Sequence, residues 1–393
     1  MLPIPVKMTK KTLVSRTDAK FSFPLNATSS FRGHIPSRNT SRDNIAMMDA
    51  STQLVNMAMA YSRSRIVCAA ARLKVADALG DNERTIESLA SECGADAGAL
   101  HRLLRAMASI GIVAETIPGT FSLTPLGQPL RSDAPNSAWH EVIFWADLLA
   151  DNWAHLTECV RTGDKAATVM QRAGITSRWS QDPEAGAVFR AVMGTAPAET
   201  YGAIADCVDV TGSQCVADLG GGGGSLIVAI LNKHPHLRGM LVDHPASIES
   251  ASPRIAKEGL QARCQLIAAD ILEAVPIGAD TLILKHVLHG YDEQKAIRIL
   301  RNCMLALPAN GRVLVIEFTL PAVVDHVDPE LEFRLMSDLN MLAVTGGKER
   351  TEAEWHALFH QAGLHQIRLV SVLGDAASII EGWKSSASTS LQS

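Results

Sequence analysis

The feature that most restricts the fold of this chain is an alternation of apolar runs and helical segments beyond residue 205. Five runs have the composition of buried strands: QCVADL, GMLVD, CQLIAAD, DTLILKHV and RVLVIEF. Segments with helical periodicity follow several of them, as in DEQKAIRILRNCMLAL. Buried strands that alternate with helices predict a parallel sheet covered on both faces. The predicted fold class is therefore α/β, with a Rossmann-like, doubly wound arrangement.

A run of five glycines, residues 220–224, lies between the first of these strands and its helix in VADLGGGGGSLIVAIL. The strand and the helix flank the run so tightly that a linker between domains is disfavoured. In a doubly wound sheet, ligands bind beyond the carboxyl ends of the strands, where this loop lies. A nicotinamide-binding G-x-G-x-x-G loop is the alternative, but its third position is then Ser225.

An aspartate precedes the glycines at the end of the strand. With Asp218 included, the motif is D-x-G-x-G-x-G, and its glycines are Gly220, Gly222 and Gly224. A carboxylate at this place repels a pyrophosphate and attracts a cationic ammonium or sulfonium. The loop therefore favours a ligand that has a positive amino-acid end and no phosphate.

Two further acids end the next two strands. Asp243 is placed to accept hydrogen bonds from both ribose hydroxyls, which fits NAD and S-adenosylmethionine equally. Asp270 is placed to bond an adenine amino group, with Ile271 against the ring face. Acids at three consecutive strand ends together predict S-adenosylmethionine as the cofactor.

The N-terminal half has the outline of a winged helix. Helices with predicted caps at Thr85 and Asp96 are followed by two short strands around a Pro118–Gly119 turn. A DNA-reading helix needs several exposed basic side chains, and the second helix offers only His101, Arg102 and Arg105. A role in packing or dimerisation is favoured over DNA binding.

Residues 139–200 hold four of the six tryptophans in helical-looking sequence. Such residues either form core or line an apolar pocket, and the sequence leaves both possibilities open. The candidate residues for contact with an aromatic small-molecule substrate are Trp145, Trp179, Met193 and Met341.

Composition excludes several classes of protein. The net charge is -5, with 36 basic and 41 acidic residues, which disfavours nucleic acid as a partner. Seven scattered cysteines without a C-x-x-C pair indicate reduced thiols in a cytoplasmic protein. No apolar run reaches the roughly 18 residues that span a bilayer, so no membrane partner is expected.

The longer motifs resemble those of a known family. VADLGGGGGS, LVDHPASI, AADILEAVP, LILKHVLHGYDEQKAIRILRNCMLALPANGRVLVIEFTLP and MLAVTGGKERTEAEW are similar to segments of class I S-adenosylmethionine-dependent small-molecule O-methyltransferases. This family is typified by plant caffeate O-methyltransferase and by bacterial polyketide and phenazine O-methyltransferases. The resemblance covers about residues 50–385. It implies a homodimer, with a mainly helical, winged-helix-like dimerisation domain before the Rossmann-like domain.

The predicted domains follow from the patterns and the resemblance together. Residues 1–46 form a disordered tail or a targeting segment, since residues 1–45 carry eight Lys or Arg and two Asp. Residues 47–150 form the dimerisation domain, and residues 151–204 form a helical connector that contributes to the substrate pocket. Residues 205–386 form the methyltransferase domain.

The resemblance also implies roles for individual residues. His289 matches the family's general base, and Glu317 and Glu349 match the carboxylates that hold it. Lys285 matches a lysine near the cofactor. A phenol has a pKa of about 10, so it attacks a sulfonium methyl only after a base takes its proton. The implied reaction methylates a hydroxyl of an aromatic secondary metabolite and needs no metal.

The sequence departs from the plant pattern around the histidine. Gly290 and Tyr291 replace the common Asp-Trp pair, and His286 stands where an aromatic residue is frequent. Two histidines three residues apart, without a clear third ligand, do not predict a metal site. Two alternatives stay open: a relative that performs hydroxylation or decarboxylation, and a winged-helix regulator that senses S-adenosylmethionine. The identity of the methyl acceptor is not predicted.

Overall fold

The computed structural model describes residues 49–194, 198–371 and 377–384. The fold set out below is that of the compact unit from Ser51 to Ser393. The predicted tail, residues 1–46, lies outside the described residues. No helix in the described ranges is long and apolar enough to cross a bilayer, and the cytoplasmic location stays a prediction.

The N-terminal part combines helices with a three-stranded antiparallel sheet. Its elements are α1 (Ala50–Arg72), α2 (Val75–Leu79), β1 (Arg84–Thr85), α3 (Ile86–Cys93), α4 (Ala97–Ser109), β2 (Val113–Ile117) and β3 (Thr120–Leu123). The side chains of Thr85 and Asp96 accept hydrogen bonds from backbone N–H groups in the first turns of α3 and α4. Since β2 and β3 pair around the predicted turn, the winged-helix outline is confirmed.

Short helices fill the middle of the chain. They are a 3₁₀ turn (Gln128–Leu130), α5 (Trp139–Ile143), a π-helical turn (Phe144–Leu148), α6 (Ala150–Ala154), α7 (Leu156–Thr162), α8 (Ala166–Arg172), α9 (Arg178–Gln181), α10 (Ala185–Met193) and α11 (Ala198–Cys207). Ala185 and Val188 of α10 join the apolar core of the N-terminal part, together with Trp139 and Phe144. Part of the predicted connector therefore packs into that core, and the domain boundaries stay predictions.

The C-terminal part is built on an eight-stranded sheet. Its strands are β4 (Cys215–Leu219), β5 (Arg238–Asp243), β6 (Cys264–Ala268), β7 (Thr281–Lys285), β8 (Arg312–Leu320), β9 (Arg350–Thr351), β10 (Leu364–Ser371) and β11 (Ala377–Lys384). Strands β4 to β8 pair in parallel in the order β8-β7-β4-β5-β6, which confirms the doubly wound prediction. At one edge β11 pairs antiparallel with β8 and β10 with β11, which the sequence analysis did not predict. The five residues between β10 and β11 are too few for the crossover that parallel pairing needs.

Helices cover both faces of this sheet. They are α12 (Ser225–Lys233), α13 (Pro245–Lys257), α14 (Glu293–Ala306), α15 (Pro329–Val344) and α16 (Glu352–Ala362). Alternate residues of the central strands enter two separate apolar cores. Ala217 and Leu282 pack with α14 and α16, whereas Val216 and Ile283 pack with α12 and α13. The central strands are buried on both sides, which explains their continuous apolar sequence.

Candidate functional site

The predicted cofactor residues gather at one edge of the sheet because the carboxyl ends of parallel strands meet there. Asp218 lies in β4, Asp243 ends the neighbouring β5, and Lys285 ends β7 on the other side of β4. Asp270 is exposed and lies two residues beyond β6, followed by the buried Ile271. The structure therefore brings the predicted cofactor residues to a single rim.

The glycine loop has the backbone that its sequence predicts. Gly220, Gly222 and Gly224 have φ angles of 71°, 54° and 77°, in the left-handed region that other residues rarely adopt. The N–H of Gly222 donates to Oδ2 of Asp243 at 2.8 Å. The aspartate proposed to bind ribose therefore also holds the loop that would surround the cofactor.

Gly221 is a constraint that the sequence analysis missed. A Cβ atom at this position would lie 2.5 Å from the carboxyl group of Asp218 and from a side-chain carbon of Leu241. A Cβ at Gly223 would meet no atom within 4 Å, and Gly223 is not among the residues with positive φ. The run of glycines alone does not distinguish these two, because the difference comes from strands β4 and β5 beneath the loop.

The carboxyl group of Asp218 is fully buried. Neither of its oxygens has a hydrogen-bond partner among the residues that the structure describes. Burial raises the pKa of Asp218 to about 7, although the charge of Lys285 lowers it. A cationic group in the loop would supply the missing donors and favour the carboxylate, so the site fits the ammonium of an amino-acid-like ligand.

Lys285 contacts a residue that the sequence analysis did not identify. Its Nζ atom lies 5.5 Å from the ring centroid of Tyr201, in a cation–π geometry. The Tyr201 side chain also hydrogen-bonds Ser225 at the start of α12. One tyrosine in helix α11 therefore links the strand-end lysine to the helix behind the glycine loop, and no motif in the sequence marked it.

His289 lies in a 3₁₀ turn, Leu288–Gly290, directly beyond β7. Its Nδ1 atom lies 2.8 Å from Oε1 of Glu349, which itself accepts a hydrogen bond from Ser337. Glu317, in β8, accepts the backbone N–H groups of Val287 at 2.8 Å and of His289 at 3.3 Å. The three predicted catalytic residues are therefore in contact, although they are distant in sequence.

The two buried glutamates control the ionisation of His289. Burial alone lowers its pKa, but the charge of Glu317 and the hydrogen bond with Glu349 outweigh burial and raise the pKa to about 9. The pKa of Glu317 falls to about 2, against the effect of burial, because His289 and His286 stabilise its charged form. The free protein therefore carries an imidazolium at neutral pH, and this charge stabilises the fold until the pH rises through about 9.

His286 joins the same network. It has a φ of 51°, its ring centroid lies 4.9 Å from that of Phe318, and its Nδ1 atom lies 3.3 Å from Oε2 of Glu317. Glu317 was predicted only as a partner of His289. In the structure it lies beside both histidines and is therefore a potential third metal ligand. Burial lowers the pKa of His286, so at neutral pH it is the uncharged member of the pair.

A glycine positions the loop that carries His289. A Cβ on Gly347 would overlap the carbonyl oxygen of His289 and approach the backbone of Gly290 and Tyr291. On the other side of Glu349, Oδ1 of Asp338 accepts its backbone N–H at 2.9 Å. The sequence predicted Glu349 through its motif, but the close packing of Gly347 was visible only in three dimensions.

The four residues that were predicted to contact the aromatic substrate fall into two groups. Trp145 and Trp179 pack edge-to-face on Phe144, with ring centroids 5.2 and 6.2 Å away. Trp145 and Met193 are each about half exposed. Met341 lies instead on α15, one turn after Ser337. The amide of Asn152 in α6 donates to the carbonyl of Ala343 in α15 at 3.4 Å, which joins the middle helices to the helix beside Glu349.

Comparisons with known proteins place both parts of the chain. The family description O-methyltransferase domain matches residues 153–365, and O-methyltransferase dimerisation domain matches residues 55–133. The phenazine O-methyltransferase PhzM of Lysobacter antibioticus is 34% identical over 342 residues, which are 87% of this chain and 98% of that protein. The O-demethylpuromycin-O-methyltransferase of Streptomyces alboniger is 32% identical over 348 residues, which are 88% and 92% of the two chains.

A solved structure carries the same fold with its ligands bound. The O-methyltransferase NcsB1 from neocarzinostatin biosynthesis, in complex with S-adenosylmethionine and 2-hydroxy-5-methyl naphthoic acid, is 32% identical with a TM-score of 0.68. The match covers 81% of this chain and 95% of NcsB1. The predicted fold class and cofactor are thereby confirmed. This chain belongs to the family of S-adenosylmethionine-dependent O-methyltransferases.

Proposed function

We propose that this enzyme methylates a phenolic hydroxyl of an aromatic small molecule, with His289 as the general base. The observation that carries the proposal is the contact of His289 Nδ1 with Glu349 at 2.8 Å, beside the buried Glu317. A carboxylate that accepts a hydrogen bond from Nδ1–H fixes the tautomer in which Nε2 is the basic nitrogen. The relatives named above include enzymes of phenazine and hydroxynaphthoate chemistry, which supports an aromatic acceptor.

Different residues of the chain would remove the proton and bind the cofactor in such a transfer. Nε2 of His289 takes the phenolic proton as the oxygen attacks, and Glu317 and Glu349 stabilise the resulting imidazolium. Asp218 and Asp243 would hold the amino-acid and ribose ends of S-adenosylmethionine, which supplies an electrophilic sulfonium methyl when bound. The contribution of the protein to the transfer itself is the positioning of the acceptor oxygen in line with that methyl.

The cofactor and the base influence each other through charge. In the free protein the pKa of His289 is about 9, which favours the protonated form at neutral pH. A sulfonium bound on the same rim, like Lys285, opposes a second positive charge and lowers that pKa. Binding of the cofactor thus moves His289 towards the neutral form that a general base needs.

A screen of acceptors tests the proposed function. Phenols, hydroxynaphthoates and hydroxyphenazines are incubated with the enzyme and S-adenosylmethionine, and release of S-adenosylhomocysteine is measured with the product mass. We expect hydroxylated aromatic acids or phenazines to gain one methyl group on oxygen. Products that are hydroxylated or decarboxylated, or cofactor binding with no turnover on any acceptor, would contradict it.

We also propose that the enzyme is a homodimer that uses α1. Five large side chains on this helix are between 55% and 70% exposed in the single chain: Leu54, Val55, Met57, Met59 and Tyr61. Exposed apolar residues concentrated on one element indicate an interaction surface, and α1 overlaps the start of the matched dimerisation domain.

Charges in that surface are expected to separate the subunits. We predict that sedimentation velocity detects a dimer of the native chain and that Leu54→Glu with Met57→Glu shifts it to the monomer. The double variant Ile277→Glu with Leu305→Glu is the control, because these side chains are also exposed but lie outside the dimerisation domain. A dimer that survives the α1 substitutions would place the interface elsewhere.

A further inference from the structure

Four side chains that can bind a metal ion lie close together around His289, the proposed base. Donor atoms of His286, His289 and Glu317 lie within 4.8 Å of one another, the one such group of three among the described residues. Glu349 adds a fourth donor, since its Oε1 atom lies 2.8 Å from Nδ1 of His289. Two imidazoles and two carboxylates are a donor set that suits zinc.

The distances are close to those of a tetrahedral site. Zinc bonds of about 2.0 to 2.1 Å place adjacent ligand atoms about 3.4 Å apart. Oε2 of Glu317 lies 3.3 Å from Nδ1 of His286 and 3.5 Å from Nδ1 of His289. Two edges of a tetrahedron are thus already present, whereas Oε1 of Glu349, 2.8 Å from Nδ1 of His289, must move away by about 0.6 Å to form a third.

The electrostatics of the cluster favour a divalent cation. Glu317 and Glu349 are both buried, and together they balance the two charges of Zn²⁺. Oε2 of Glu349 is buried and has no hydrogen-bond partner within the described part of the chain. Lys285, at the end of β7, opposes a cation here, and protons compete with the metal for the imidazole nitrogens.

The cluster is also open to an entering ion. The side chain of His286 is 27% exposed and that of His289 is 16% exposed, whereas the two glutamates lie behind them. Two histidines three residues apart do not by themselves predict a metal site, because a third ligand is missing from the local sequence. The fold supplies that ligand from β8 and a fourth from the residue before β9.

From this geometry we propose that Zn²⁺ binds to His286, His289, Glu317 and Glu349 and inhibits the enzyme. When zinc is bound to Nδ1 of His289, the neutral imidazole carries its one proton on Nε2, and Nε2 then cannot accept the phenolic proton. The binding itself is independent of the proposed function, whereas the inhibition rests on His289 as the base. Zinc is an inhibitor here, since methyl transfer from a sulfonium needs no metal.

Direct titration tests the binding. The tag-free chain is stripped with a chelator, and zinc is titrated in competition with a chromophoric chelator at neutral pH. We expect one tight site per chain, and His286→Phe should weaken it by more than about 100-fold, the upper end of the loss from an outer-shell partner. His360→Phe is the matched control, because His360 pairs with His365 at a ring distance of 6.2 Å outside the cluster.

Turnover tests the inhibition. With an acceptor that has a single hydroxyl and no chelating group, zinc should inhibit the native enzyme, and a chelator should restore the rate. The rate of each protein is normalised to its own metal-free rate. His286→Phe should then need at least about 100-fold more zinc than the native enzyme for half-maximal inhibition. Affinity that is equal in native and His286→Phe proteins overturns the site. Tight binding by the native chain without inhibition would instead overturn the role of His289.

Discussion

His289→Asn is expected to lower the rate of methyl transfer to a phenol by about 10²- to 10⁴-fold, the usual contribution of a general base. Asparagine keeps a side-chain amide near Glu349 but has no basic nitrogen. Asp218, Asp243 and Asp270 lie at or near the ends of other strands. Asparagine removes a positive charge that opposes the sulfonium, so affinity for S-adenosylmethionine should stay the same or rise. Single-turnover kinetics give the rate, and calorimetry gives the affinity.

The control for this variant is His360→Asn, which removes an exposed histidine from α16 and should leave both quantities unchanged. Loss of cofactor binding in His289→Asn would give His289 a structural role. An unchanged transfer rate would exclude it as the base. Circular dichroism of both variants separates either result from unfolding.

Gly221→Ala is expected to weaken S-adenosylmethionine binding by about 10- to 100-fold. The added methyl would lie 2.5 Å from both the Asp218 carboxyl group and a side-chain carbon of Leu241, so either the loop or these two side chains must move. Overpacking of this kind costs about 1 to 3 kcal/mol. The cost falls on the loop and on the carboxylate that we expect to meet the cationic end of the cofactor.

Gly223→Ala is the matched substitution in the same loop. A methyl group at Gly223 meets no atom within 4 Å, so we expect the cofactor affinity of this variant to stay within about threefold of the native value. Calorimetric titration with S-adenosylmethionine measures both variants. Equal losses at Gly221 and Gly223 would mean that loop flexibility, and not contact with Asp218, sets the affinity.

Much of the fold was predictable because its signals are local. Apolar runs marked β4 to β8, and the side chains of Thr85 and Asp96 cap α3 and α4 as their positions predicted. The antiparallel pairing of β10 and β11 was not predicted, because it depends on which edge of the sheet is free. The packing of α10 into the N-terminal core likewise depends on partners far along the chain.

The candidate site divides in the same way. Asp218, Asp243 and Asp270 were identified because each lies near the end of a strand and strand ends share one edge, whereas Lys285 was identified by resemblance. His289, Glu317 and Glu349 were identified by resemblance, and the structure places them in contact. Tyr201, Gly221 and Gly347 were missed, since their importance lies in contacts between segments that no spacing reveals.

The most direct test of His289 as the base is to measure how the effect of His289→Asn on the transfer rate depends on the pKa of the phenol. Single-turnover rates of native enzyme and His289→Asn are compared over phenols that range from fully protonated to fully ionised at the assay pH. If His289 removes the proton, the ratio of the native rate to the His289→Asn rate should be about 10²–10⁴ for phenols with a pKa near 10. It should fall to about 1 for nitrophenols that are already ionised. A ratio that is constant over the series would contradict the account, because it would mean that His289 positions the acceptor without taking its proton.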